Sequence, residues 1–180
     1  MKQLQRISII ILSLFLFHSC DKTTETEQQL EVLNFVGQTE SFSDFAVYKL
    51  LNNENLNIAL QISGAGRETL NLTSQITTFS LPNNDLIIEI SEWDRSVLNH
   101  FSDDAIVLGE EPIRLETWSS ISGTISLSVS NIEILTTPPT YTLYDITIHL
   151  ENVIFENIDG EQKTIENLNI QNAHVGWLPG

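Results

Sequence analysis

The stretch Leu56-Asn57-Ile58-Ala59-Leu60-Gln61-Ile62-Ser63 sets Leu56, Ile58, Leu60 and Ile62 at every second position. Successive side chains of a strand point to opposite faces, so this period of two predicts a strand with one face buried. Upstream, Phe45 to Leu51 is apolar on both faces, and the Asn52-Asn53-Glu54-Asn55 cluster between the two runs supplies turn chemistry. The pair is predicted to be a hairpin with one more deeply covered strand.

The same pattern recurs outward from that hairpin. Leu86, Ile88 and Ile90 alternate within Leu86 to Trp93, after the Pro82-Asn83-Asn84-Asp85 turn. Ile113 to Trp118 and Gly123 to Leu135 are predicted strands, with Ile132 and Ile134 on the parity opposite to Ile125, Leu127 and Val129. That switch predicts a bulge near Ser130-Asn131. Tyr144, Ile146, Ile148 and Leu150 share a face, Val153 and Phe155 switch parity, and Asp159-Gly160 is the turn to a strand holding Ile165, Leu168 and Ile170. Ser96 to Phe101 is the one candidate for a short helical turn. Many short strands with Gly, Pro and Asn turns predict an all-β fold, an antiparallel β-sandwich, with an open or closed lipocalin-like barrel as the alternative.

The first thirty residues read differently. Met1 to Arg6 carries two positive charges, and Ile7 to Phe17 is apolar except for Ser8 and Ser13. These are the two leading parts of a secretory signal peptide. The apolar run is too short to span a bilayer, which takes about twenty helical residues. The only cysteine, Cys20, stands where this run ends. A lone cysteine in an exported protein has no intramolecular disulfide partner and is reactive if left free.

Leu16-Phe17-His18-Ser19-Cys20 resembles the lipobox of bacterial lipoproteins. Phe17 stands where the usual motif has Leu and His18 where a small residue is commoner, a looseness similar to that of Bacteroidota lipoproteins. The resemblance implies cleavage between Ser19 and Cys20, a covalent lipid on Cys20 and no other cofactor. It also implies residence in the cell envelope, at the outer membrane. Three segments follow: residues 1–19 as signal peptide, 20–30 as lipidated cysteine and tether, and 31–180 as one β-rich domain. Asp21 to Gln29 holds three acidic residues, three threonines and two glutamines, too little apolar content to fold. The β-rich part, with Ile121-Ser122-Gly123-Thr124-Ile125-Ser126-Leu127, is similar to small Bacteroidota lipoproteins and brings no catalytic residue with it.

Charge limits the partners. Losing Lys2 and Arg6 with the signal peptide moves the formal charge from −16 to −18. Nucleic-acid binding rests on Lys and Arg neutralising phosphates, so such a chain is not expected to bind DNA or RNA. Membrane attachment is expected through the lipid and not through a basic patch.

Candidate sites are few. Alternation puts Asp145, Thr147, His149 and Glu151 on one polar strand face, where His149 and Glu151 are the nearest approach to a metal or proton-sharing pair. The acidic pairs Asp103-Asp104, Glu110-Glu111 and Glu92 with Asp94 lie outside any calcium-loop frame. Trp93 falls in alternation with Glu89 and Ser91, and Trp118 with Arg114 and Glu116. Both are expected on polar faces and are the candidate binding surface, suited to a sugar or a protein partner; Trp177 follows Val175 and reads as core. The expected function is that of a noncatalytic envelope lipoprotein that binds or assembles with an envelope partner or glycan. A carrier of a small apolar ligand is the alternative, and a hydrolase the distant third.

Overall fold

The computed structural model describes residues 30–101, 110–136 and 141–176. Cys20, Asp103-Asp104 and Trp177 lie outside them. Nine strands follow in order: β1 (Glu31–Val32), β2 (Thr39–Phe42), β3 (Ala46–Leu50), β4 (Ile58–Gly64), β5 (Thr77–Ser80), β6 (Leu86–Trp93), β7 (Arg114–Leu135), β8 (Tyr141–Glu156) and β9 (Gln162–Val175). No helix occurs among the described residues. Ser96 to Phe101 forms a turn closed by the His100 N–H on the Val97 carbonyl at 3.0 Å.

All nine strands join one sheet, ordered β1-β9-β8-β7-β6-β4-β3-β2, with β5 beside the second half of β7. Pairing is antiparallel except between β1 and β9. The expected β3–β4 hairpin forms, and its turn is organised by Asn52, whose side-chain oxygen accepts the N–H groups of Glu54 and Asn55 at 2.8 Å each. The runs beginning at Ile113 and Gly123 are one strand, because bulges between Ser120 and Thr124 bend β7 without ending it.

The sheet curls into a half-barrel. Ser41 Oγ donates to the His174 carbonyl, and the Gly176 N–H donates to the Ser43 carbonyl at 2.8 Å, which brings the end of β2 to the end of β9. At the other end a strap, residues 33–38, crosses from β9 to β3. The Leu33 N–H donates to the Thr164 carbonyl and the Val36 N–H to the Leu51 carbonyl, both at 2.8 Å. Leu33 and Phe35 turn inward from this strap and are buried.

The concave side is filled by aliphatic rows from β4, β6, β7, β8 and β9, with Tyr144, Phe35 and Phe155 the largest fully buried side chains. Leu70 and Leu72, between β4 and β5, join the same core. Three of the parity switches sit at asparagines in the left-handed region: Asn131 (φ 49°), Asn152 (φ 50°) and Asn172 (φ 53°). Asparagine tolerates that conformation better than other residues with a Cβ, so these positions let a long strand reverse which parity faces inward. The bulge expected at Ser130-Asn131 is present, and beyond it Ile132 and Ile134 are exposed. Gly123 (φ 114°) serves the same bending, since a Cβ there would lie 2.6 Å from Val153 Cα.

Candidate functional site

Two tryptophans were expected on solvent-facing surfaces, and both are buried: Trp93 is 8% exposed and Trp118 2%. The reasons differ. Trp118 pairs with Ile90 and lies on the concave side, because the bulges after Ser120 reverse parity between Trp118 and Ile125. It joins the main core, and Lys163 Nζ caps its ring 4.1 Å from the centroid. Trp93 does lie on the convex face, opposite Leu86, Ile88 and Ile90, as its parity requires. There it forms a second apolar cluster with Leu50, Ala59 and Val97, with Leu56 and Phe101 packed against it. Leu56 therefore precedes β4 and belongs to this outer cluster, not to the face of Leu60 and Ile62.

Around Trp93 the convex face carries an ordered array. Tyr48, Gln61, Glu89 and Ser119 are successive register partners across β3, β4, β6 and β7. Directly opposed residues share a sheet face at roughly 4.5 to 5.5 Å, so these four form a polar row. Ser119 Oγ donates to Glu89 Oε1 at 3.1 Å, and Arg114 Nη1 stands 4.0 Å from Glu89 Oε2. The Arg114 guanidinium carbon lies 4.8 Å from the Trp93 ring centroid. Beside the row, Tyr48 stacks on Phe101 with centroids 3.8 Å apart and on Phe42 at 5.5 Å. Burial pushes the Tyr48 phenol above its ordinary pKa, with Arg114 opposing and Glu89 reinforcing the shift.

The segment over Trp93 is held by a buried carboxylate. Glu40, 8% exposed, accepts the Asn99 N–H at 2.7 Å and the Phe101 N–H at 3.3 Å. His100 and Phe101 meet the Trp93 ring edge-on, each with centroids 5.9 Å away. Trp93 Nε1 and Ser91 Oγ, on the same face, are buried without a hydrogen-bond partner.

The polar face of β8 is arranged differently from the pairing expected there. His149 lies in register with Ser126 and Asn169, and Glu151 with Thr124 and Asn167. The carboxylate that meets an imidazole is Asp145, whose Oδ1 is 3.0 Å from Nδ1 of His174 on β9. The Asn131 side-chain amide, then His174, hold the Asp145 carboxyl below its usual range. Among the described residues no three His, Cys, Asp or Glu side chains converge as a metal site. Of the acidic pairs, Asp94 is tied to Arg95 at 2.8 Å, and Glu110 reaches the same guanidinium at 3.7 Å.

Sequence reasoning singled out Trp93 but missed its neighbours Tyr48, Glu89 and Arg114. Their convergence depends on β3, β4, β6 and β7 lying side by side, an order that alternation within each strand does not encode. The chain matches no protein-family model, no curated protein and no solved structure.

Proposed function

We propose that the chain is a noncatalytic lipoprotein of the bacterial cell envelope, held at the outer membrane by a lipid on Cys20. Its β domain binds an envelope protein through the convex face of β3, β4, β6 and β7. The observation that carries the binding surface is the row Tyr48, Gln61, Glu89 and Ser119, with Arg114 set against both Glu89 and Trp93. Cross-strand register fixes these groups in advance, which lowers the ordering cost of association.

A protein partner suits this face better than a glycan. Sugar recognition by stacking needs open ring faces, whereas Phe101 takes one face of Tyr48 and Arg114 lies over Trp93. The packing of the concave side with large side chains weighs against the carrier reading, which needs an apolar lumen.

The test has two arms in the native host. Cys20→Ala is expected to abolish lipid labelling and release the protein from the membrane fraction. A photo-crosslinking residue at Gln61 is expected to give one discrete protein adduct, reduced at least about tenfold by Arg114→Glu, as for a charged group at an interface centre. A membrane-bound protein that still labels without Cys20 defeats the anchor. A Gln61 probe that yields no adduct, or one indifferent to Arg114→Glu, defeats the surface.

A further inference from the structure

Five aliphatic side chains are left exposed at one end of the half-barrel. Register collects there the start of β1, opposite Lys163, the turn of residues 157–161 between β8 and β9, and the start of β7. The Asn157 side-chain amide donates to Glu116, which sets that turn beside the first residues of β7. The strap of residues 33–38 closes the same end, and while Leu33 and Phe35 point into the core, Val32 and Val36 are exposed. Ile113 and Leu115 are each 62% exposed and Ile158 99%. Leu115 and Ile158, with Arg114, Thr117 and Asp159, line an open hollow of about 500 Å³.

Single exposed aliphatics are ordinary on a protein surface, but a group of them at one end marks a contact. What distinguishes this end from Ile132 and Ile134 at the opposite one is the chain that leaves it. Leu30 precedes β1, and Cys20 is ten residues earlier. Ten residues reach at most about 35 Å when fully extended. Given the lipid on Cys20 proposed above, on which this inference rests, this end is the one tied closest to the bilayer.

We propose that this end docks on the lipid surface, with Val32, Val36, Ile113, Leu115 and Ile158 in the interfacial layer of the membrane that holds the Cys20 lipid. The domain then stands end-on to its membrane with the convex row along its side. Carboxylates at this end are partly engaged: Glu31 meets Lys163 Nζ at 3.0 Å, and Glu116 takes the Asn157 amide. The end is still acidic, so it suits a zwitterionic surface, and anionic lipid weakens the contact.

The experiment uses full-length, lipidated protein reconstituted into phosphatidylcholine vesicles, with a polarity-sensitive dye on Ile158→Cys or, at the far end, on Glu133→Cys. Both positions are exposed, so neither change disturbs packing. The expected result is a blue-shifted dye at 158 quenched at least about twofold more by brominated lipid than the dye at 133. Leu115→Asp with Val36→Asp should remove that difference, and phosphatidylglycerol should reduce it. Lipidated, vesicle-bound protein whose two dyes both report water overturns the docking and leaves the anchor standing. Protein that carries no lipid overturns both.

Discussion

The Arg114 guanidinium carbon stands 4.8 Å from the Trp93 ring centroid while one nitrogen stands 4.0 Å from Glu89. The two residues are unequal in energy. Arg114 is 42% exposed along its side chain, where a cation–π contact or an ion pair contributes at most about 1 kcal/mol. Trp93 fills a cluster with Leu50, Ala59 and Val97, and emptying such a site costs about 3 to 5 kcal/mol. Urea unfolding should therefore show Arg114→Ala nearly as stable as the parent and Trp93→Ala severely destabilised. Acrylamide should quench neither Trp93 nor Trp118 efficiently in single-tryptophan variants, against the expectation drawn from parity alone.

Asn152 carries the bulge that lets Leu150 and Val153 both face the core. A β-branched residue at φ 50° suffers the left-handed clash of about 1 to 2 kcal/mol, and glycine does not. Asn152→Val is expected to lower the unfolding free energy read from urea titration by at least that amount, and Asn152→Gly to leave it within about 1 kcal/mol. Equal losses in the two variants would mean that the asparagine side chain, not its backbone, holds the bulge.

That bulge also marks how far the sequence could be read. The strands from Ile58 to Gly64 and from Leu86 to Trp93 were visible because each keeps one parity from end to end. Around Asn131 and Asn152 the parity switch itself was visible, since aliphatic residues change from odd to even positions at the first and from even to odd at the second. The switch between Trp118 and Ile125 was hidden by Ser119, Ser120 and Ser122, which carry no hydropathy signal for either face. Trp93 was misread for another reason: its parity was right, but what covers it comes from Val97 and Phe101, a turn with no period. The closure of β2 on β9 through Ser41 and His174 joins residues 133 positions apart, and no local pattern foretells it.

Tyr144 gives the fold an alkaline limit. Its hydroxyl donates to the Asp44 carbonyl, and its pKa is raised by burial first and then by the Asp44 charge, with Arg67 opposing. A phenol whose folded pKa exceeds its unfolded value near 10 contributes stability that is complete below that value and lost as pH rises through the folded pKa. Absorbance at the phenolate band should show Tyr144 ionising only as the protein unfolds, above the ordinary tyrosine range. Tyr144→Phe should shift that limit upward while costing about 1 kcal/mol at neutral pH through the lost hydrogen bond. A Tyr144 that titrates normally in folded protein would contradict its burial.

Glu40 decides whether the cover over Trp93 is latched or merely packed. Its carboxylate takes two backbone N–H groups from the turn, at Asn99 and Phe101, and Phe101 stacks on Tyr48 with centroids 3.8 Å apart. A hydrogen bond to a charged group contributes about 1.5 to 3 kcal/mol, more than the roughly 0.5 to 1.5 kcal/mol of an aromatic pair. Glu40→Ala should thus destabilise the fold by about 1.5 to 3 kcal/mol and raise acrylamide quenching of Trp93 when Trp118 and Trp177 are replaced by Phe. Phe101→Ala should raise it less, because the carboxylate still holds the backbone N–H groups of residues 99 and 101. The reverse order would make stacking the stronger hold, with the two hydrogen bonds to Glu40 contributing little to the turn's position.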